Sequence, residues 1–117
     1  MNILDHLHNF CEFGAKDGRL GPAHISLYMA LFDFWREQQF VSPFVISRAE
    51  LMRLAKINGN ATYQKCIKDL DELGYIRYKP SHNPQKGSEV SMVDLTKMIL
   101  KDDDDTVVKK FSTASFT

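Results

Sequence analysis

Cysteine is scarce in this 117-residue chain: Cys11 and Cys66 are the only two, far apart and without a CxxC pair. That argues against a disulfide scaffold and a cysteine-based zinc finger, and it fits a reducing cytoplasm. Net charge is lacking too. Fifteen basic and fifteen acidic side chains cancel, so any claim of a nucleic-acid partner depends on where the charges lie. Long apolar runs are missing. Stretches such as Leu27 to Leu31 fall well short of the roughly 18 residues that span a bilayer, and the N-terminus has neither the basic region nor the cleavage site of a signal peptide. Membrane insertion and secretion are not expected. The glycines at 14, 18 and 21 form no phosphate loop, because no Lys-Ser or Lys-Thr follows in register and no strand precedes them. No GxSxG elbow, HExxH pair or compact carboxylate dyad occurs. The expectation is a protein without enzymatic activity and without a cofactor.

Hydrophobic residues make up 44% of the chain and charged ones 26%, which suits one packed domain with modest extensions. Residues 2–13 place Ile3, Leu4, Leu7, Phe10 and Cys11 at helical spacing, with Gly14 where a C-terminal cap would sit. Gly14 to Gly21 reads as a linker. Pro22 suits a first helical turn, and the pattern continues to about Gln38. Along it His24, Leu27, Tyr28, Leu31, Phe34 and Trp35 form a broad apolar side, leaving Ser26, Asp33 and Glu37 on a narrow polar strip. Phe40 to Ile46 contains Pro43 and reads as an extended connection or a short edge strand.

Ser47 followed by Glu50 has the spacing of a capping box, so a helix is expected from Arg48 to about Lys56. Asn58 and Gly59 supply a turn able to adopt positive φ. Asn60 is then a candidate cap for a helix that runs to Leu73 and is closed by Gly74. After Gly74 the period becomes two. Tyr75 to Lys79 and Glu89 to Val93 read as strands, joined by the polar stretch Pro80 to Ser88, with Ile76 and Tyr78 inward and Arg77 and Lys79 outward. Leu95, Met98 and Ile99 suggest a last helical turn or two, and Asp102 to Asp105 with the Ser/Thr-rich end reads as a solvated tail. The division by composition is residues 1–21 as helix and linker, 22–95 as the main domain, and 96–117 as a C-terminal extension.

From Pro22 to Asp94 the order is helix, short strand, helix, turn, helix, two strands. The segments Ser47-Arg48-Ala49-Glu50-Leu51 and Leu70-Asp71-Glu72-Leu73-Gly74-Tyr75-Ile76 resemble the winged helix-turn-helix family of bacterial DNA-binding proteins. The stretch Thr62 to Lys68 and the loop Pro80 to Ser88 look like small regulators or replication-type accessory proteins of mobile elements. The resemblance covers about two thirds of the chain. It implies an α+β, mainly α fold: a winged helix-turn-helix with an N-terminal amphipathic helix and a short C-terminal extension. It also implies sequence-specific binding of double-stranded DNA in transcription regulation or a mobile-element transaction.

Charge by segment agrees with that placement. Residues 1–46 hold three basic and five acidic side chains, residues 47–88 eight and four, and residues 89–117 four and six, giving −2, +4 and −2. In the 60–73 helix, Tyr63, Cys66, Ile67, Leu70 and Leu73 form the apolar stripe. Asn60, Ala61, Thr62, Gln64, Lys65 and Lys68 lie elsewhere, where amides can read adenine and lysines can reach guanine or phosphate. Asn60, Thr62, Gln64, Lys65 and Lys68 are therefore the candidate reading residues. Arg77, Lys79, His82, Asn83, Gln85 and Lys86 are the candidate wing contacts. Asp69, Asp71 and Glu72 would repel phosphate if the whole helix lay flat, so entry by its N-terminal half is expected.

The bland readings are a solvated helix face and a soluble loop tip. The rival function is a winged-helix module that docks another protein without touching DNA. Tyr63 and Tyr78 read as packing residues, and Cys66 as a small buried hydrophobe. His6, His8, Cys11 and Glu12 are weak metal candidates because His6 and His8 diverge on a helix, so no metal is expected. The apolar N-terminal helix needs a covering surface, supplied by its own domain or a second subunit, and a homodimer is the expectation.

Overall fold

The computed structural model describes residues 2–81 and 87–97. Among them the architecture is α+β and mainly helical: α1 (Ile3–Lys16), α2 (Pro22–Glu37), β1 (Phe44–Ile46), α3 (Arg48–Ala55), α4 (Asn60–Glu72), β2 (Ile76–Lys79), β3 (Ser88–Met92) and a 3-10 turn (Leu95–Lys97). The chain separates into two compact units, one of residues 17–93 and one of residues 1–16 with the chain from Asp94. No helix among the described residues is long and apolar enough to cross a membrane.

In the larger unit α2 packs against α3, α4 and β1, and α4 packs on β2. The apolar side of α2 puts Leu27, Tyr28 and Leu31 fully inside, where they join Leu51 of α3, Ile67 and Leu70 of α4, and Ile76 and Val90 of the sheet. Burying a side chain of this size contributes about 1.5–3 kcal/mol, so this cluster is the main source of cohesion. Ser26, on the narrow polar strip, donates its hydroxyl to the Ala55 carbonyl at the end of α3. That satisfies a helix-terminal acceptor that would otherwise have no intrahelical partner.

The sheet is antiparallel in the order β1-β3-β2. Val90 stands opposite Phe44 on one side and Tyr78 on the other, while Glu89 stands opposite Val45 and Lys79. Ile76 is buried and Arg77 and Lys79 are exposed, as the period-two pattern requires. Tyr78 is half-buried, and the strands begin one residue away from their expected starts.

Three helices of this unit end in the same way. An N–H two or three residues beyond the helix bonds back to the carbonyl five residues earlier: Phe40 to Trp35, Ile57 to Met52, and Tyr75 to Leu70. The residue between is left-handed each time: Gln39 (φ 56), Lys56 (φ 61) and Gly74 (φ 89). This is the Schellman arrangement, which normally selects glycine. Gly74 closes α4 as expected. At the end of α3 the expectation is corrected: the left-handed residue is Lys56, whereas Gly59 is extended and serves as the N-cap, making Asn60 the first helical residue rather than the cap. Burial of Ile57 fixes the point at which the chain must turn. Leu73, expected in the buried stripe, is half-buried because it lies at the C-cap.

In the smaller unit α1 runs through Gly14 to Lys16, so that glycine is not a cap. A helix-interior glycine costs only about 1 kcal/mol, and Ala15 and Lys16 are good helix formers. His6 and Asn9, one turn apart on the same face, hold the backbone of Leu95. The Leu95 N–H donates to His6 Nδ1 at 3.2 Å, and Asn9 Nδ2 donates to the Leu95 carbonyl at 2.6 Å. Met98, Ile99 and the acidic run from Asp102 lie outside the described residues.

Candidate functional site

Ser47 starts α3 by accepting the Glu50 N–H at 3.3 Å. The reciprocal half of the expected box is replaced, because the Glu50 carboxylate pairs with Arg53 Nη2 at 2.8 Å. Arg48, in the first turn of this helix, is exposed, and its charge partly offsets the effect of burial on Tyr63. Burial pushes the Tyr63 hydroxyl up to about 12, so Tyr63 is a neutral packing residue.

Along α4, Tyr63, Cys66, Ile67 and Leu70 are buried, whereas Asn60, Ala61, Thr62, Gln64, Lys65 and Lys68 are all exposed. At 100° per residue Asn60, Gln64 and Lys68 line up at i, i+4 and i+8, with Ala61 beside Lys68 at the centre of the open face. A small residue there leaves the helix backbone approachable. Burial also pushes the Cys66 thiol up, which keeps it protonated and inert. Cys11, in the smaller unit, is exposed.

The acidic end of α4 is used inside the fold. His24 Nδ1 accepts the Gly21 N–H at 2.9 Å, so its other nitrogen carries the proton and donates to Asp69 Oδ2 at 2.8 Å. Lys65 Nζ donates to the same oxygen at 2.7 Å. These partners hold the Asp69 carboxyl below its usual range, Lys65 first and His24 second, and Asp69 in turn raises the Lys65 ammonium. Asp71 accepts the Tyr78 N–H at 3.3 Å and so ties α4 to β2. Glu72 is exposed.

Arg77 and Lys79 are exposed on β2, and Lys79 borders a hollow of about 160 Å³ with Pro80, Ser81, Gly87 and Glu89. The remaining expected wing residues, His82, Asn83, Gln85 and Lys86, lie outside the described residues. Residues 47–81 contain seven cations. Two are paired, Arg53 with Glu50 and Lys65 with Asp69. Among the described residues the other five, Arg48, Lys56, Lys68, Arg77 and Lys79, make no ion pair. Elsewhere in the same unit Arg19 pairs with Asp17 and Arg36 with Asp33.

Sequence reasoning missed Arg48 and Lys56 as members of this cationic set, although both were inside the segment with the +4 balance. It also missed the His24–Asp69 contact, which joins residues 45 apart in sequence and leaves no periodic signal. His6, a weak metal candidate, is buried and engaged with Leu95, while His8 is exposed. Among the described residues no group of three or more His, Cys, Asp or Glu side chains is placed to hold a metal ion. In comparisons with known proteins, no family model, no curated protein and no solved structure matches the chain.

Proposed function

We propose that the chain is a winged helix-turn-helix protein that binds double-stranded DNA without enzymatic activity, with α4 as the reading helix and the β2–β3 pair as the wing. The observation that carries this reading is the set of five unpaired cations on α3, the turn after it, α4 and β2, in a unit whose other described cations outside these elements, Arg19 and Arg36, are paired. Unpaired lysines and arginines release counterions from a duplex at no cost in broken ion pairs. The open face of α4 supports the same reading: Asn60, Thr62 and Gln64 offer hydrogen-bonding groups of the kind that read base edges in a major groove, and Lys68 offers a cation. Asp69 and Asp71, which would repel phosphate, are engaged with α2 and β2. A duplex approaching the N-terminal half of α4 therefore meets little free negative charge.

The experiment is retention of the purified chain on random-sequence duplex at low salt, followed by titrations over a salt series. Retention is expected, and alanine at Lys68, Arg77 or Lys79 should each reduce the slope of log affinity against log salt by about one unit. No retention, with another protein co-purifying, favours the docking module instead.

A further inference from the structure

Lys65 and Lys68 are one turn apart on the exposed side of α4, yet they are not equivalent. Lys68 makes no ion pair, whereas Lys65 is bound to Asp69, and Asp69 is itself gripped by His24. An exposed Lys–Asp pair of this spacing ordinarily contributes little and opens readily, and the order Lys-then-Asp along the helix is the weaker one. Here the carboxylate is pre-positioned. His24 is buried, its Nδ1 is pinned by the Gly21 N–H at the start of α2, and its Nε2–H fixes Asp69 Oδ2 at the spot where Lys65 arrives. Little side-chain freedom is left for Asp69 to lose in holding the lysine, so the usual entropic cost falls mainly on Lys65. The side-chain exposures follow the same gradient from inside to outside: 11% for His24, 26% for Asp69 and 71% for Lys65.

We infer that His24 and Asp69 form a latch that withholds Lys65 from the duplex, so that in the DNA-binding reading above, on which this rests, Lys68 and not Lys65 is the phosphate-contacting lysine of α4. Asp69 is a positioning residue in this scheme, acting on DNA only through Lys65. Its consequence is a lower electrostatic, sequence-independent affinity, which leaves a larger share of the discrimination to Asn60, Thr62 and Gln64.

The test is a salt series with random duplex on the wild type, Lys65→Ala, Lys68→Ala, Asp69→Asn and the double variant Asp69→Asn with Lys65→Ala. Asparagine keeps an oxygen to accept from His24 and loses the charge that holds the lysine. Lys68→Ala should lessen the slope by about one unit, and Lys65→Ala by much less. Asp69→Asn should steepen it by about one, so that its affinity falls about fourfold further than the wild type's between roughly 50 and 200 mM salt. The double variant should lose that gain. If Asp69→Asn does not fold, the two lysine variants still decide the matter. Equal slope losses for Lys65→Ala and Lys68→Ala overturn the latch, as does a gain that persists in the double variant. Binding by the wild type with either result sinks the latch alone, whereas absence of binding by every form sinks the DNA reading with it.

Discussion

Lys56 and Gly74 occupy the same position of the same helix-ending turn, one at φ 61 and the other at φ 89. A side chain in the left-handed region costs about 1–2 kcal/mol, so Lys56→Gly should raise the unfolding free energy by about 1 kcal/mol in urea melts while lessening the salt slope of duplex binding. A strained lysine where glycine would be easier fits a residue kept for its charge. Gly87 gives the opposite sign. It sits at φ 74, and a Cβ there would lie 2.8 Å from Val45 Cγ1 and 3.3 Å from the Ile46 carbonyl oxygen. Gly74 has open space around the same added carbon. Alanine should therefore cost more at 87 than at 74, where only the backbone strain of about 1–2 kcal/mol applies, and paired denaturant melts will rank them. At the same scale the two thiols separate: an alkylating reagent should modify exposed Cys11 in the native protein and leave buried Cys66 until denaturant is added.

Among the elements, the smaller unit has a pH-dependent hold. Burial lowers the His6 imidazole below its ordinary value of 6.5, with the Asp94 charge acting the other way. The folded state thus binds fewer protons than the unfolded chain, and the stability gained from the neutral ring is lost as pH falls below 6.5. Protonating Nδ1 also removes the acceptor for the Leu95 N–H. Exchange of the Leu95 amide, corrected for intrinsic rate, should accelerate as pH is lowered through that range, and His6→Gln should remove most of the dependence. The elements differ in how plainly their residues announce them. Pro22 and Ser47 mark helix starts because a missing N–H and a capping hydroxyl act locally, and Gly74 marks an end because glycine adopts positive φ freely. The ends of α2 and α3 near Gln38 and Lys56 are legible from the period, but the left-handed turns at Gln39 and Lys56 are not. Tertiary burial, of Ile57 in one case and the packing of the Phe40 ring on Trp35 in the other, forces those turns on residues that do not favour them. The open face of α4 was readable from its period, as were Arg77 and Lys79. The pairing of Lys65 was not, because it depends on a carboxylate held by a histidine from another helix.

Over the whole molecule, neutrality conceals a +4 segment between two of −2. At physiological ionic strength the Debye length is about 8 Å, so in the proposed complex a duplex responds chiefly to the charges it touches rather than to the balanced total. In the proposed complex the exposed side of α4 and the outward residues of β2 face the DNA. Amide chemical-shift mapping with a duplex at low salt tests it most directly. Perturbations are expected to concentrate at Arg48, Lys56, Asn60 to Lys68 and Arg77 to Lys79, with Asp33 to Glu37 of α2 unaffected. Perturbations centred on α1 or the end of α2, or none at all at duplex concentrations that saturate binding, would contradict it.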